Sequence, residues 1–157
     1  MSTVVRAAGP ADVAELVELR LVNATWHATL DPRIYRIPDP EAVRRHFTEA
    51  VTRELILVAD SGRHLDAMAE VLTVRDPPDH QILVPRRAAE VHTVVRPGER
   101  GRGLGRRMVE AAAHAAAERG IEILYAGIHA LNEPAIRFYT AAGFGPRGTT
   151  LCRELGG

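Results

Sequence analysis

The segment from Val94 to Arg106 constrains this chain more than any other. A β-prone run, Val94-Val95, leaves through Arg96-Pro97-Gly98 into Glu99-Arg100-Gly101-Arg102-Gly103-Leu104-Gly105-Arg106, which opens a helix. A strand that feeds a glycine- and arginine-rich turn and then a helix presents consecutive backbone N–H groups, a cradle for anionic oxygens. Glycine lets the backbone approach a phosphate closely, and the arginines add charge at the mouth. The segment predicts a phosphate or pyrophosphate site. A Walker A loop needs Gly-Lys-Ser/Thr after its glycines, and this chain has no lysine: all 20 of its Lys+Arg residues are arginine. Gly101, Gly103 and Gly105 recur at every second position, so the G-x-G-x-x-G spacing of a dinucleotide fingerprint is absent too. A purely structural turn is the alternative on these residues alone.

The rest of the chain supplies the frame. Thr3 to Arg6 reads as a first strand ending at Gly9-Pro10. Asp12 stands where a helix cap belongs, and Val13, Leu16, Val17, Leu19 and Leu21 give helical spacing to about Ala28. Leu30-Asp31-Pro32 breaks that helix. Asp39-Pro40-Glu41 starts a second, with Asp as cap and Pro at the first position. Glu54 to Ala59 and His64 to Val74 read as a hairpin turned at Asp60-Ser61-Gly62. Ile82 to Val84 is expected to be a short strand, and Ala89 to Val95 a longer one. A helix from about Gly103 to Arg119 stops at Gly120. Ile121 to Ile128 follows as a strand. Asn132 caps a last helix that ends at Gly143-Phe144, and Gly148 to Leu155 reads as a final strand. The order predicts a mixed α/β domain around one sheet, with residues 1–157 as a single domain.

Composition excludes several classes. With 157 residues, 46% apolar and 25% charged, the chain suits one globular core. A formal net charge of zero provides no global field for nucleic acid or an anionic membrane. No apolar run approaches the roughly 20 residues of a membrane span. The first eight residues are too short and polar for a signal peptide, so a cytoplasmic location is expected. Arginine without lysine points to a GC-rich bacterial genome and leaves no lysine side chain for self-acetylation. Cys152 is the only cysteine, which rules out an internal disulfide, and a buried inert thiol is expected there. No His/Cys/Asp/Glu cluster has metal-ligand spacing, so no metal is expected.

Arg100-x-x-Gly103-x-Gly105 resembles the R/Q-x-x-G-x-G/A signature of the GNAT superfamily of N-acetyltransferases, and Val95-x-Pro97 matches the family's strand exit. Asn132-x-x-Ala135-x-x-x-Tyr139-x-x-x-Gly143-Phe144 resembles its second motif. The two motifs cover about a third of the chain, and the element order agrees. One departure lies in the second hairpin strand: the family's frequent glycine is missing around Leu65-Asp66-Ala67-Met68.

The resemblance implies a mostly antiparallel sheet in which two parallel strands, here Ala89 to Val95 and Ile121 to Ile128, splay apart to admit pantetheine. It implies acetyl-CoA as acyl-donor co-substrate and an amine of a small molecule or peptide as acceptor. By that resemblance the backbone of Thr93 polarises the thioester carbonyl, and Val94 and Val95 lie along the pantetheine. Amides from Gly101 through Arg102, Gly103, Leu104 and Gly105 to Arg106 hold the pyrophosphate, with Arg100 and Arg102 beside it. Asn132, Ala135 and Tyr139 complete the donor site, with Tyr139 as general acid. A phenol with a pKa near ~10 can protonate a thiolate whose acid has a pKa near ~8.5. Candidate bases are Glu90, His92 and His129. Strand alternation puts Glu90 and His92 on one face, opposite Val91 and Thr93, although a bulge, expected near the thioester in this fold, would change the faces. Trp26, His27 and Tyr35 are candidate acceptor residues. A non-catalytic acyl-CoA sensor of the same fold is the alternative. The β-prone end of the chain leaves a homodimer open.

Overall fold

The sheet is built outward from a hairpin that buries both faces. The computed structural model describes residues 2–156. Strand β1 (Val4–Ala7) leads through a 3-10 turn into helix α1 (Val13–Leu30) and then α2 (Pro40–Arg53). Strands β2 (Leu55–Asp60), β3 (Leu65–Val74) and β4 (Ala88–Val95) follow, then α3 (Leu104–Glu118), β5 (Ile123–Tyr125) and α4 (Glu133–Ala141). The strands lie side by side in chain order, antiparallel from β1 to β4, while β4 and β5 run parallel. The mixed α/β class, the mostly antiparallel sheet and the flanking helices agree with expectation.

Alternation divides the core. On one face Leu57, Ala69, Val71, Ala89 and Val91 pack against Leu104, Met108, Val109 and Ala112 of α3 and against Tyr139 of α4. On the other, Ile56, Val58, Met68 and Val94 pack against Leu16 and Leu19 of α1 and Phe47 of α2. Burying each Val, Leu, Ile, Met or Phe among them stabilises the fold by about 1.5–3 kcal/mol. β2 and the first seven residues of β3 are covered on both sides and are buried almost throughout, apolar except for Asp60, Asp66 and Glu70. The second face also carries a fully buried carboxylate, Glu70, which is held by Arg20 and by His46 Nε2 at 2.6 Å. Partners of that kind are what make a buried charge tolerable.

Local chemistry explains the helix ends. Asp39 Oδ1 accepts from Glu41 N–H at the start of α2, and Asn132 Oδ1 accepts from Ala135 N–H at the start of α4. After α4, Gly143 takes a φ of 93°, and Phe144 N–H reaches back to Tyr139 O at 3.0 Å, closing a Schellman motif. Asp12 differs from expectation. It occupies the cap position of α1 but makes no side-chain cap. Its carboxylate instead accepts from Gly9 N–H and from both terminal nitrogens of Arg6.

Two predicted strands are absent. Residues 82–84 form a bend with exposed side chains, and residues 145–156 run without a ladder partner, exposed throughout. β-propensity describes fit to a neighbouring strand, and neither stretch has one. The strand expected over Ile121 to Ile128 pairs only at Ile123–Tyr125. Cys152 lies on the exposed tail, not in the core. Among the described residues no helix is long and apolar enough to cross a membrane.

Candidate active site

The parallel pair β4/β5 is joined at three positions only, Ala88 to Ile123, Ala89 to Leu124 and Glu90 to Tyr125. Beyond them the strands part, so the β5-facing edge of Val91 to Val95 has no strand partner. On its other edge β4 pairs with β3 without interruption from Ala88 to Val95. No bulge occurs in β4, and the faces assigned by simple alternation stand: Val91 belongs to the α3 face and Val94 to the α1/α2 face. The sheet's irregularity lies in β3, where Ala59 pairs with Ala67 but Asp60 with Leu65.

A cavity of about 600 Å³ fills the fork between the two strands. One end is the turn before α3. Gly101 (φ 82°) and Gly103 (φ 74°) both adopt left-handed backbone, and a Cβ at either would meet nothing within 4 Å. These glycines serve the turn and leave its surface open, and the first-turn amides of α3 have no intrahelical acceptors. Gly105 has another reason: a Cβ there would lie 3.0 Å from the Phe138 ring, so it permits α3 and α4 to approach. Arg100 and Arg106 line the cavity, and Arg100 Nε is tied to Val95 O at 3.3 Å. Arg102 does not line it. Its guanidinium pairs with Glu99 at 3.1 Å and is otherwise in solvent.

Along the fork the cavity passes Val94, Val95 and Thr93 on one side and Asn132, Ala135 and Tyr139 on the other. The ring of Tyr139 is gripped edge-on by Phe138 and Phe144, with centroids at 4.9 and 5.2 Å. Burial pushes its phenol above the ordinary value. Thr93 Oγ1 is itself buried without a hydrogen-bond partner. An open glycine turn, unpaired strand backbone and an orphaned hydroxyl together suit a ligand that is anionic at one end and amide-like along its length.

The far end opens between α1 and β4, where Asn23, Trp26, His27 and His92 form the wall. His27 Nδ1 lies 2.9 Å from Asn23 O. Donation from Nδ1–H to that carbonyl leaves Nε2 as an acceptor. His92 Nε2 is 3.5 Å from Glu90 Oε1, and Glu90 Oε1 sits 2.8 Å from where a Cβ on Gly127 would lie. Gly127, a cavity residue, thus makes room for that carboxylate. His129 stands apart from the cavity with both ring nitrogens occupied, Nε2 by Asp31 at 3.0 Å and Nδ1 by Leu131 N–H at 3.1 Å. Tyr35 does not line the cavity either; it is wedged edge-on between His27 and His129. Sequence reasoning missed Asn23 and Phe138. Helical spacing could have found Asn23, which lies one turn before Trp26 and His27.

These features place the protein among mixed α/β folds with a forked parallel strand pair and a glycine-rich turn at the start of a helix. The chain belongs to the acetyltransferase (GNAT) family, whose model matches residues 22–144. That membership supports acyl transfer as the general class of chemistry. Among solved structures it is similar to a mutant of the BH1408 protein from Bacillus halodurans, with TM-score 0.86, 22% identity, and coverage of 97% of this chain and 99% of that one. It is also similar to a ribosomal-protein-alanine N-acetyltransferase from Brucella melitensis, with TM-score 0.72, 24% identity and coverage of 92% and 86%. An aminoglycoside N-acetyltransferase in complex with CoA aligns with TM-score 0.74 and 15% identity, covering 98% and 94%. No curated protein matches the chain.

Proposed function

We infer that this chain, acting as one domain in the cytoplasm, is an acetyl-CoA-dependent N-acetyltransferase whose acceptor is a primary amine of a small molecule or peptide. The carrying observation is one continuous cavity that joins the glycine turn, the open edge of β4, the buried Tyr139 phenol and the His27/His92 mouth. Its two ends lie on opposite faces of the sheet, so donor and acceptor enter separately and meet in the fork. This favours direct attack in a ternary complex.

Acetyl-CoA would supply the thioester carbon to be attacked and the thiol that leaves. The chain's own residues do the rest. Amides of Gly101 to Arg106, with Arg100 and Arg106, bind the pyrophosphate. The free edge of Val94 and Val95 aligns the pantetheine, and Thr93 N–H faces the carbonyl oxygen. Tyr139 holds a proton at its phenol oxygen, and burial keeps it there at neutral pH. Glu90 and His92, adjacent on one face and close to the mouth, are the pair placed to take the proton of the amine. His129 has no free nitrogen for that task. Trp26 and His27 face the acceptor.

The test is calorimetry with acetyl-CoA on the wild type and Tyr139→Phe, followed by thiol release against a panel of amines. Binding in both, with release reduced only in Tyr139→Phe, supports the assignment. Absence of binding overturns the acyl-CoA reading. Binding without turnover on any amine replaces the enzyme with a sensor of the same ligand.

A further inference from the structure

Beside the glycine turn, the fold brings Glu99 up to His64 and Asp66, which lie two residues apart in the sequence, with ligand atoms of all three within 4.8 Å of one another. Asp66 is 3% exposed. Its Oδ2 accepts the Thr3 hydroxyl at 3.0 Å. Its Oδ1 is buried without a hydrogen-bond partner, and so is His64 Nδ1, 2.9 Å away. The two atoms are close yet lack hydrogen-bond geometry, an arrangement that leaves both unsatisfied in a buried place. Adjacent ligands of one cation present lone pairs side by side in this way: with metal–ligand bonds of about 2.1 Å the ligand atoms stand roughly 3.0 Å apart at right angles and roughly 3.4 Å apart at tetrahedral angles, a small movement from the spacing here.

Other features agree. Asp66 is the extra residue of the β3 irregularity, between Ala67, which pairs with Ala59, and Leu65, which pairs with Asp60. Bulges re-aim side chains in this way. The Thr3 hydroxyl fixes the carboxylate from behind, as outer-shell donors do at metal sites. Glu99 is engaged only by Arg102, whose side chain is 74% exposed. Such a solvent-screened pair is weak, and the carboxylate can turn inward.

We propose that His64, Asp66 and Glu99 form a site for one divalent transition-metal cation of the Zn²⁺ class, with water filling its remaining positions. One imidazole and two carboxylates are a donor set for such ions. The cation ties the start of β3 to the residue just before Arg100, and so braces the turn that opens the anion cradle. The site is independent of the acyl-transfer reading.

The experiment is titration of chelator-stripped protein with Zn²⁺, read by calorimetry and native mass spectrometry, with thermal melts alongside. The expected result is one Zn²⁺ per chain and a melting midpoint raised by the metal. His64→Gln and Asp66→Asn should each weaken binding at least tenfold and abolish the metal-dependent rise, and Glu99→Gln should weaken it less. The His64 side chain is 36% exposed, just before β3, so its variant keeps the metal-free fold even if Asp66→Asn does not. No 1:1 binding by the wild type, or binding unchanged in His64→Gln, overturns the proposal.

Discussion

Asp31 and His129 are joined by a 3.0 Å hydrogen bond across 98 residues of chain. The bond links the end of α1 to the loop before α4, and Tyr35 is packed against His129 and His27 on the same side. Burial pushes the Asp31 carboxyl up, but hydrogen bonds from Arg33 and His129 bring it below the ordinary value overall. With both ring nitrogens engaged, His129 is proposed as a positioning residue. Asp31→Asn should raise KM for the amine several-fold and leave acetyl-CoA affinity, read by calorimetry, unchanged. An equal loss in both would mean that the fork itself had moved.

Tyr139→Phe removes the phenol and little else, since the ring's contacts with Phe138 and Phe144 remain. A general acid contributes roughly 10²–10⁴-fold, so kcat should fall within that range with acetyl-CoA affinity retained. The sign of the pH effect follows from burial. The phenol pKa is raised, so Tyr139 keeps its proton through the neutral and mildly alkaline range, and the wild type should show no alkaline fall in kcat from this group centred below about pH 10. A fall centred between pH 8 and 9 would assign the proton to another residue.

The elements were legible where local chemistry decides them. Asp39 and Asn132 caps, the stops at Gly120 and Gly143, and the apolar runs of β2 and β3 follow from rules that act within a few residues. The glycine-rich turn before α3 was legible for the same reason. What depends on distant partners was not. The free edge of the final segment cannot make a strand alone. Asp12 looked like a cap because Arg6, six residues earlier, is invisible to a capping rule. The tie of His129 to Asp31, and the seat of Tyr35 between the imidazoles of His27 and His129 outside the cavity lining, join residues far apart in the chain and could not be read from the sequence.

The Arg6 guanidinium bridges Asp12 and Asp60 at 2.8 Å each, and its hydrogen bonds hold both carboxyls below the ordinary range. A depressed carboxyl stabilises the fold above its unfolded pKa of about 3.9 and loses that contribution as pH falls through the lower folded value. Asp12→Asn should cost about 1 kcal/mol at pH 7, at the low end for charge-assisted bonds because the Arg6 end is solvent-screened. The gap between wild type and variant, measured by urea unfolding, should narrow as pH falls below 4. A gap that widens on acidification would contradict the sign.

Gly103 and Gly105 should respond unequally, and for different reasons, to a single methyl group. At Gly103 the φ of 74° is strained for any side chain, although the space is open. Gly103→Ala should destabilise by about 1–2 kcal/mol from the backbone alone, and its methyl projects where an anion would approach, so acetyl-CoA affinity should drop at least tenfold. At Gly105 the backbone is helical. Alanine gains up to about 1 kcal/mol in helix propensity, but its Cβ would stand 3.0 and 3.2 Å from Phe138 ring atoms and 3.4 Å from Val95 Cγ2. Overpacking of this kind costs about 1–3 kcal/mol, at the low end here because Phe138 is only partly buried and can pivot toward the cavity. The two terms nearly cancel, so Gly105→Ala should change stability by less than about 1 kcal/mol. Its effect on acetyl-CoA binding should come from the displaced ring, and should be smaller than that of Gly103→Ala. Thermal melts and calorimetry on the two variants decide it: a larger stability loss at Gly105 than at Gly103 would show that helix–helix approach, and not the left-handed turn, is the tighter constraint on this segment.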